Sequence, residues 1–130
     1  MRVAIIGSRN AAIQAPEDYL PPDTTEIITG GARGIDTDAI ACAQRLCIPY
    51  RVFLPDYARY GRAAPLRRND TIIKESDIIL AFWDSCSNGT AYVIRKCKKL
   101  HKPLRVYLPN SSDGWNLQDE ITTETPSTQK

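Results

Sequence analysis

Histidine and methionine are nearly absent from this chain, with one residue of each among 130, and its four cysteines include no CxxC pair. Without histidine and cysteine clusters, no zinc site can be built from the usual ligand spacings. His101 is the only candidate base for a histidine-dependent triad. It lies at the predicted end of a helix, where a cation is favoured without any catalytic role. The sequence therefore predicts no metal and no bound cofactor.

Long hydrophobic runs are also missing. The longest, such as residues 78–83, fall far short of the roughly 20 residues that a membrane-spanning helix needs. The apolar run at residues 2–6 is not followed by a signal-peptide cleavage pattern, so it indicates a first strand. With no secretory signal the cysteines are expected to be reduced thiols. These absences predict a cytoplasmic protein.

The composition is that of a globular protein, with 42% hydrophobic and 25% charged residues and a net charge of +2. A chain of this length is expected to form one domain. The positive charge is concentrated between Arg51 and Arg68, where five arginines accompany a single acid, Asp56. Because the guanidinium group matches phosphate geometry, this cluster favours a small anionic ligand. A long nucleic acid is less favoured, because it would need a broader basic face.

Short apolar runs alternate with amphipathic stretches along residues 1–109. The runs lie at 2–6, 26–29, 50–54, 78–82 and 104–108, and they are continuous, as strands buried on both faces should be. Helices are predicted at 36–47, 63–76 and 90–101, with at most a short one at 16–20. This alternation predicts an α/β domain of three layers, built on a mostly parallel five-stranded sheet. Residues 110–130 turn polar and acidic, and we expect a mostly disordered tail whose Trp115 and Leu117 could dock onto the domain.

In such a sheet, ligands bind outside the carboxyl ends of the strands. The first strand ends in Gly7, Ser8 and Arg9, which offer close backbone approach, a hydroxyl and a cation. The second strand ends in residues 30–34, here called the glycine turn: Gly30, Gly31, Ala32, Arg33 and Gly34. Asp36 follows at the start of a helix, where it is either an N-cap or an acceptor for a sugar hydroxyl.

The fourth strand ends in residues 83–90, here called the hydroxyl turn, which includes Trp83, Asp84, Ser87, Asn88, Gly89 and Thr90. The helix that starts there exposes free amides at the positive end of its dipole, so this turn is the best phosphate site in the chain. A capped helix after a polar turn is the simpler alternative. Trp83 is expected either to pack in the core or to stack on a base.

The loop after the third strand, residues 55–65, is long, aromatic and basic, and it leads to Arg68 and Asn69. Such a loop beside the binding edge is suited to closing over a ligand. Its tyrosines are equally suited to covering the edge of the sheet.

These segments, in this order, resemble the SLOG superfamily, which links the DNA-processing protein DprA/Smf with the Lonely guy phosphoribohydrolases and includes small YspA-like proteins of unknown function. The resemblance covers residues 1–108. It rests on the Gly-Ser-Arg at 7–9, Ile28–Asp36, Arg68-Asn69, Ala81–Asp84 and Ser87–Thr90. It implies a Rossmann-like fold whose residues Gly30, Gly31 and Gly34 line a nucleotide-derived ligand while Ser87–Thr90 hold its phosphate. Val93 stands where the Lonely guy proteins have their catalytic glutamate.

Three functions follow as alternatives. The first is a module that binds a nucleotide-like small molecule as a sensor, carrier or sequestering protein. The second is a hydrolase that cleaves the N-glycosidic bond of a nucleoside 5′-monophosphate, with Asp36 or Asp84 as the catalytic carboxylate. The third, less favoured, is a DprA-like protein that binds single-stranded DNA through its arginines and tyrosines. A homodimer is a further expectation, and no membrane partner is expected.

Overall fold

The computed structural model describes residues 1–112 and 114–122. The strands of this part of the chain are β1 (Arg2–Gly7), β2 (Glu26–Thr29), β3 (Tyr50–Val52), β4 (Ile78–Phe82), β5 (Leu104–Pro109) and β6 (Trp115–Ile121). Its α-helices are α1 (Ile35–Arg45), α2 (Tyr57–Tyr60), α3 (Ala64–Glu75) and α4 (Asn88–Leu100). Two 3₁₀ helices, Pro16–Tyr19 and Gly61–Ala63, complete the regular structure of these residues.

The strands form one sheet in the order β3-β2-β1-β4-β5-β6. The pairs β1–β2, β2–β3, β1–β4 and β4–β5 are parallel, and β6 runs antiparallel to β5. The predicted α/β class with a mostly parallel sheet is therefore confirmed, and the order is that of a Rossmann-like fold. The predicted strand number is wrong: over the described residues the sheet has six strands where five were expected.

The additional strand comes from the segment expected to be disordered, so that expectation is wrong for Trp115–Ile121. Trp115 anchors it: the indole is only 8% exposed, packs edge-on against Phe82 and donates its Nε1–H to the Ala12 carbonyl at 3.2 Å. Leu117 does not dock, because it is 49% exposed. The strand is polar because it lies at the sheet edge and most of its side chains face solvent. Its composition therefore resembles that of a disordered segment. The remainder of the predicted tail, residue 113 and residues 123–130, lies outside the described residues.

Apolar side chains pack against both faces of the sheet. On one face, Ile35, Ala39 and Ala43 of α1 pack against side chains such as Ile5 and Phe82. On the other face, α3 and α4 supply a second buried cluster with Ile72, Ile73, Val93, Ile94 and Cys97. Because successive strand residues point to opposite faces, a strand covered on both sides has to be continuously apolar, as Ile78–Phe82 is. No helix in the described part of the chain is long and apolar enough to cross a membrane.

The segment after β3 is more ordered than a loop. β3 ends at Val52, and after Asp56 the chain forms the four-residue helix α2, whose start is capped by the Asp56 carboxylate accepting from the Arg59 amide at 3.1 Å. A helix this short has too few residues for an apolar periodicity, so the sequence offers no signal for it beyond the capping aspartate. It leads directly to Gly61–Ala63 and α3, which return the chain to the sheet.

Candidate functional site

The strand order reverses between β1 and β4, and the helices that follow these two strands lie on opposite faces of the sheet. A crevice opens at the carboxyl ends of such strands. Gly7 pairs with Phe82 at this edge, and the Ser8 amide continues the contact by donating to the Phe82 carbonyl at 3.1 Å. The Asp84 amide donates to the Ser8 hydroxyl at 3.0 Å, so the loops that leave β1 and β4 are fastened together.

A cavity of about 420 Å³ lies at this edge, a size typical of small-molecule sites. The glycine turn and the hydroxyl turn both contribute to its lining, although 48 residues (35–82) separate them in sequence. Eleven of the predicted ligand-binding residues line the cavity: Gly7, Arg9, Gly30, Gly31, Ala32, Asp36, Arg68, Asn69, Ser87, Gly89 and Thr90. The other predicted residues, Ser8, Arg33, Gly34, Trp83 and Asn88, and the catalytic candidate Asp84, are not in its lining.

The start of α4 forms one end of the cavity. Ser87 is the N-cap: its hydroxyl accepts from the Thr90 amide at 3.3 Å and donates to the Thr90 hydroxyl oxygen at 3.2 Å. The amides of Asn88 and Gly89 have no acceptor among the described residues, as is usual for the first turn of a helix. A Cβ atom on Gly89 would meet only Asn69 Nδ2, at 3.9 Å, so the backbone here faces open space. An anion at this end would find free amides, a hydroxyl and a positive helix dipole.

Asp84 and Trp83 shape the hydroxyl turn from behind. The Asp84 carboxylate accepts from the amides of Cys86 and Ser87 at 2.8 and 2.9 Å. Partial burial raises the pKa of Asp84, but these two hydrogen bonds and that with Ser8 outweigh it and leave the pKa below its ordinary value. The Trp83 indole donates to the Ser87 carbonyl at 2.9 Å and packs against the buried cluster on the α3–α4 face. Both side chains therefore hold the backbone that carries the free amides.

The glycine turn is closely packed rather than open. A Cβ atom on Gly30 would lie 2.7 Å from Arg68 Nη1 and 2.9 Å from Asp36 Oδ2. Gly34 has φ +81°, and a Cβ atom there would lie 2.6 to 2.9 Å from the carbonyl oxygens of Arg9, Ser8 and Ala11. These two glycines are required because neighbouring groups occupy the space of a side chain, and Gly34 contacts the β1 loop instead of the cavity.

Asp36 is buried at 4% exposure beside the glycine turn. The N-cap expectation is wrong, because Gly34 holds that position and Asp36 Oδ2 instead accepts from the Ala32 amide at 3.2 Å. Burial raises the pKa of Asp36 to about 6, against the opposing effects of the Ala32 amide, the Arg68 charge and the nearby Thr29 hydroxyl. Neither Asp36 Oδ1 nor Thr29 Oγ1 has a partner in full hydrogen-bond geometry among the described residues. Both atoms are also closed to solvent, so Oδ1 does not reach the cavity surface.

Arg68 connects the glycine turn with the segment after β3. Its Nη1 donates to the carbonyls of Gly30 and Phe53, and its Nε donates to Asn69 Oδ1 at 2.8 Å. Burial lowers the pKa of the guanidinium and the Asp36 charge opposes that change, but an arginine stays protonated at any physiological pH. Arg68 is therefore a positive charge held in place by the backbone of two loops. Arg9, by contrast, is exposed, lines the cavity and has no ion pair or side-chain hydrogen bond with a described residue.

Sequence reasoning did not assign the apolar residues that line the rest of the cavity. They are Ile6, Leu54, Pro55, Tyr57, Pro65 and Leu66. The loop 55–65 was expected to close over a ligand, but Leu54 and Leu66, just outside it, carried no chemical signal. Leu54 lies two residues after the end of β3, an edge strand whose residues are exposed or half-buried, so no burial pattern pointed to it.

Two arginines of the 55–68 segment group around one tyrosine. Arg59 and Arg67 both lie over the Tyr60 ring, 5.1 and 5.5 Å from its centre. Tyr60 is thus engaged within its own segment, whereas Tyr57 is 61% exposed at the cavity.

No protein-family model matches this chain, and a search of the curated proteins found no match either.

Proposed function

We propose that the protein binds a nucleotide or a nucleotide-derived phosphorylated small molecule in the cavity at the carboxyl edge of the sheet. The observation that carries the proposal is the start of α4, where the free amide of Gly89 and the Thr90 hydroxyl line the cavity. Arg9, which has no ion pair or side-chain hydrogen bond with a described residue, lines the same cavity. Neutral amides at a helix N-terminus and an unpaired cation are the usual means of holding a phosphate.

The charge distribution around the cavity supports an anionic ligand. Arg9 and Arg68 both line it, and Asp36 is the only carboxylate in its lining among the described residues. Asp36 is turned away from the surface at Oδ1 and bound to Ala32 at Oδ2. The groups that reach the cavity surface therefore favour negative charge.

The volume supports a ligand larger than phosphate alone. The cavity of about 420 Å³ falls within the range of small-molecule sites, and it lies at the strand-order reversal where nucleotides bind in sheets of this order. A phosphorylated sugar with an attached ring would extend from the α4 end towards the glycine turn.

The test is calorimetric titration with AMP and with adenosine, using the wild-type protein and Thr90→Val. We expect AMP to bind more tightly than adenosine, and Thr90→Val to weaken AMP binding about tenfold, because one hydrogen bond to a charged phosphate is lost. Thr71→Val is the matched control, since the Thr71 hydroxyl donates to the Arg67 carbonyl on the exposed side of α3. Equal binding of AMP and adenosine, or a Thr90→Val variant that binds AMP normally, would refute the proposed phosphate site.

A hydrolase that cleaves the N-glycosidic bond is a second candidate, and Asp36 is the observation that favours it. The Asp36 residue belongs to the cavity lining and its pKa is about 6, which is the proton affinity of a general acid or base at neutral pH. In this reaction Oδ2 would exchange its hydrogen bond from the Ala32 amide for one with the substrate. Water would add to the sugar and the base would leave, giving a free base and ribose 5-phosphate from a nucleoside monophosphate. Chromatography of each monophosphate after incubation tests this: base released by wild type and not by Asp36→Asn supports the hydrolase, and no release with bound ligand supports the binding module.

A further inference from the structure

The cavity is chemically divided. One end is the start of α4, with Ser87, Gly89 and Thr90, and Asn69 Nδ2 lies beside Gly89. The other end is formed by Leu54, Pro55, Tyr57, Pro65 and Leu66. A Cβ atom built on Gly31 would lie 2.8 Å from Leu54 Cδ2, which places this apolar end against the glycine turn.

The large apolar side chains at this end are exposed and do not pack into the core of the domain. Leu54 is 68% exposed, Tyr57 61% and Leu66 41%, and none belongs to either buried cluster of the sheet. Single exposed leucines are ordinary, but three large apolar side chains around the mouth of one cavity indicate a binding surface. Since the phosphate end lies in the same cavity, one ligand can occupy both.

We infer that Leu54, Tyr57 and Leu66 form a subsite for the base of a nucleoside monophosphate and that this subsite accepts purines and pyrimidines alike. The inference rests on the proposed function and extends it to substrate specificity. Tyr57 offers a ring face for stacking, and the leucines and prolines cover the remaining apolar surface of the base. Stacking tolerates every base, because each has a π-face.

We expect this tolerance because the apolar end of the cavity offers few polar side chains that could form hydrogen bonds with the edge of a base. Of the five side chains at this end, only Tyr57 carries a polar group. Arg68, a charged member of the cavity lining, is held by the hydrogen bonds that its Nη1 donates to the carbonyls of Gly30 and Phe53 and its Nε donates to Asn69. Strong discrimination between bases needs buried polar groups that go unpaired with the wrong base, whereas apolar contact discriminates weakly.

The experiment compares AMP, GMP, CMP and UMP with ribose 5-phosphate by calorimetry. We expect the four monophosphates to bind within about threefold of one another and each at least about tenfold more tightly than ribose 5-phosphate, as one stacked base contributes. Tyr57→Ala should bring AMP affinity close to that of ribose 5-phosphate and leave ribose 5-phosphate binding unchanged. Leu54→Ser should act in the same direction.

Leu117→Ser is the matched control, because Leu117 is an exposed leucine on β6 outside the cavity lining, and it should leave every affinity unchanged. Far-ultraviolet circular dichroism and thermal unfolding establish that each variant is folded.

The outcomes separate the two claims. If neither AMP nor ribose 5-phosphate binds, the proposed function is wrong and the base subsite with it. If ribose 5-phosphate binds as tightly as AMP, if Tyr57→Ala weakens both equally, or if one base binds more than about thirtyfold better than the others, only the base subsite is wrong. A Leu54→Ser variant that turns a dimer into a monomer in sedimentation without changing AMP affinity would show that the patch is an interface between copies, which also overturns the inference.

Discussion

The two turns that meet at the cavity have opposite constructions. The glycine turn is filled from inside: Gly30 lies against Arg68 and Asp36, and Gly34 lies against three carbonyls of the β1 loop. The hydroxyl turn is supported from behind by Asp84 and Trp83 and leaves its amides and the backbone at Gly89 facing open space. In the glycine turn, glycines are therefore needed because neighbouring atoms fill the space of a side chain. In the hydroxyl turn, Gly89 lies beside open space that a ligand can occupy.

Asp36, which follows the glycine turn, and Asp84, which belongs to the hydroxyl turn, also differ in their surroundings. Asp36 is buried, and burial raises its pKa to about 6. Asp84 is partly exposed, and amide hydrogen bonds outweigh the effect of its burial and keep its pKa low. The first carboxylate is destabilised as an anion and the second is stabilised as one, so the two turns should respond to pH with opposite signs.

Replacing a glycine in each turn should give the largest difference. Gly34→Ala should lower the free energy of unfolding by roughly 3 kcal/mol or more, because it combines a strained backbone at φ +81° with overlap against backbone oxygens. Gly89→Ala should raise it by up to about 1 kcal/mol, because alanine favours the helix and its Cβ meets open space. Urea denaturation of both variants measures the difference.

Equal destabilisation by the two alanines would break the comparison. Because the methyl group added in Gly89→Ala would narrow the phosphate end while stabilising the fold, the same variant should also bind AMP more weakly than wild type. Tighter binding by this variant would contradict the position of the phosphate site.

Asp36→Asn should change the pH dependence of stability. The folded-state pKa of about 6 lies above the ordinary 3.8, so Asp36 contributes stability below pH 4 and that contribution is lost as the pH rises through 6. Relative to wild type, the variant should therefore gain about 3 kcal/mol between pH 4 and pH 7, since each pKa unit corresponds to about 1.4 kcal/mol. Denaturant unfolding at several pH values measures it, and a difference that does not change with pH would be inconsistent with a buried anion.

Asp84→Asn should show the smallest effect and the opposite sign. The pKa of Asp84 is lowered, so its contribution is present above pH 4 and is lost as the pH falls. The variant keeps an oxygen that can accept from Cys86 and Ser87 but loses the charge, so it should be about 1 kcal/mol less stable than wild type at pH 7. The same titration measures this, and the deficit should shrink at lower pH. A deficit that grows on acidification would show that the carboxylate is not held by those amides.

Much of the fold could be predicted from the sequence because its signals are local. A continuous apolar run such as 78–82 indicates a strand buried on both faces. An apolar stripe at helical spacing such as that in 90–101 indicates a helix buried on one face, and the alternation of the two patterns defines the α/β class. The same patterns did not predict β6, because most side chains of this edge strand are exposed and only Trp115 and Ile121, at its two ends, pack against the core. The short helix α2 was not predicted either, because four residues are too few to show a helical periodicity.

For the site, the sequence by itself determined which turns follow the strands and which chemical groups they carry. The reason is that glycines, hydroxyl side chains and arginines after predicted strands can be identified directly from the sequence. Only the tertiary structure decided which of those groups face the cavity. It turned Gly34 and Asp84 into internal supports, placed both Arg68 and Asp36 against Gly30, and left Leu54 and Tyr57 exposed at the mouth. The physical reason is that the surroundings of a side chain depend on contacts between segments that are distant in sequence. A local sequence pattern contains no information about those contacts.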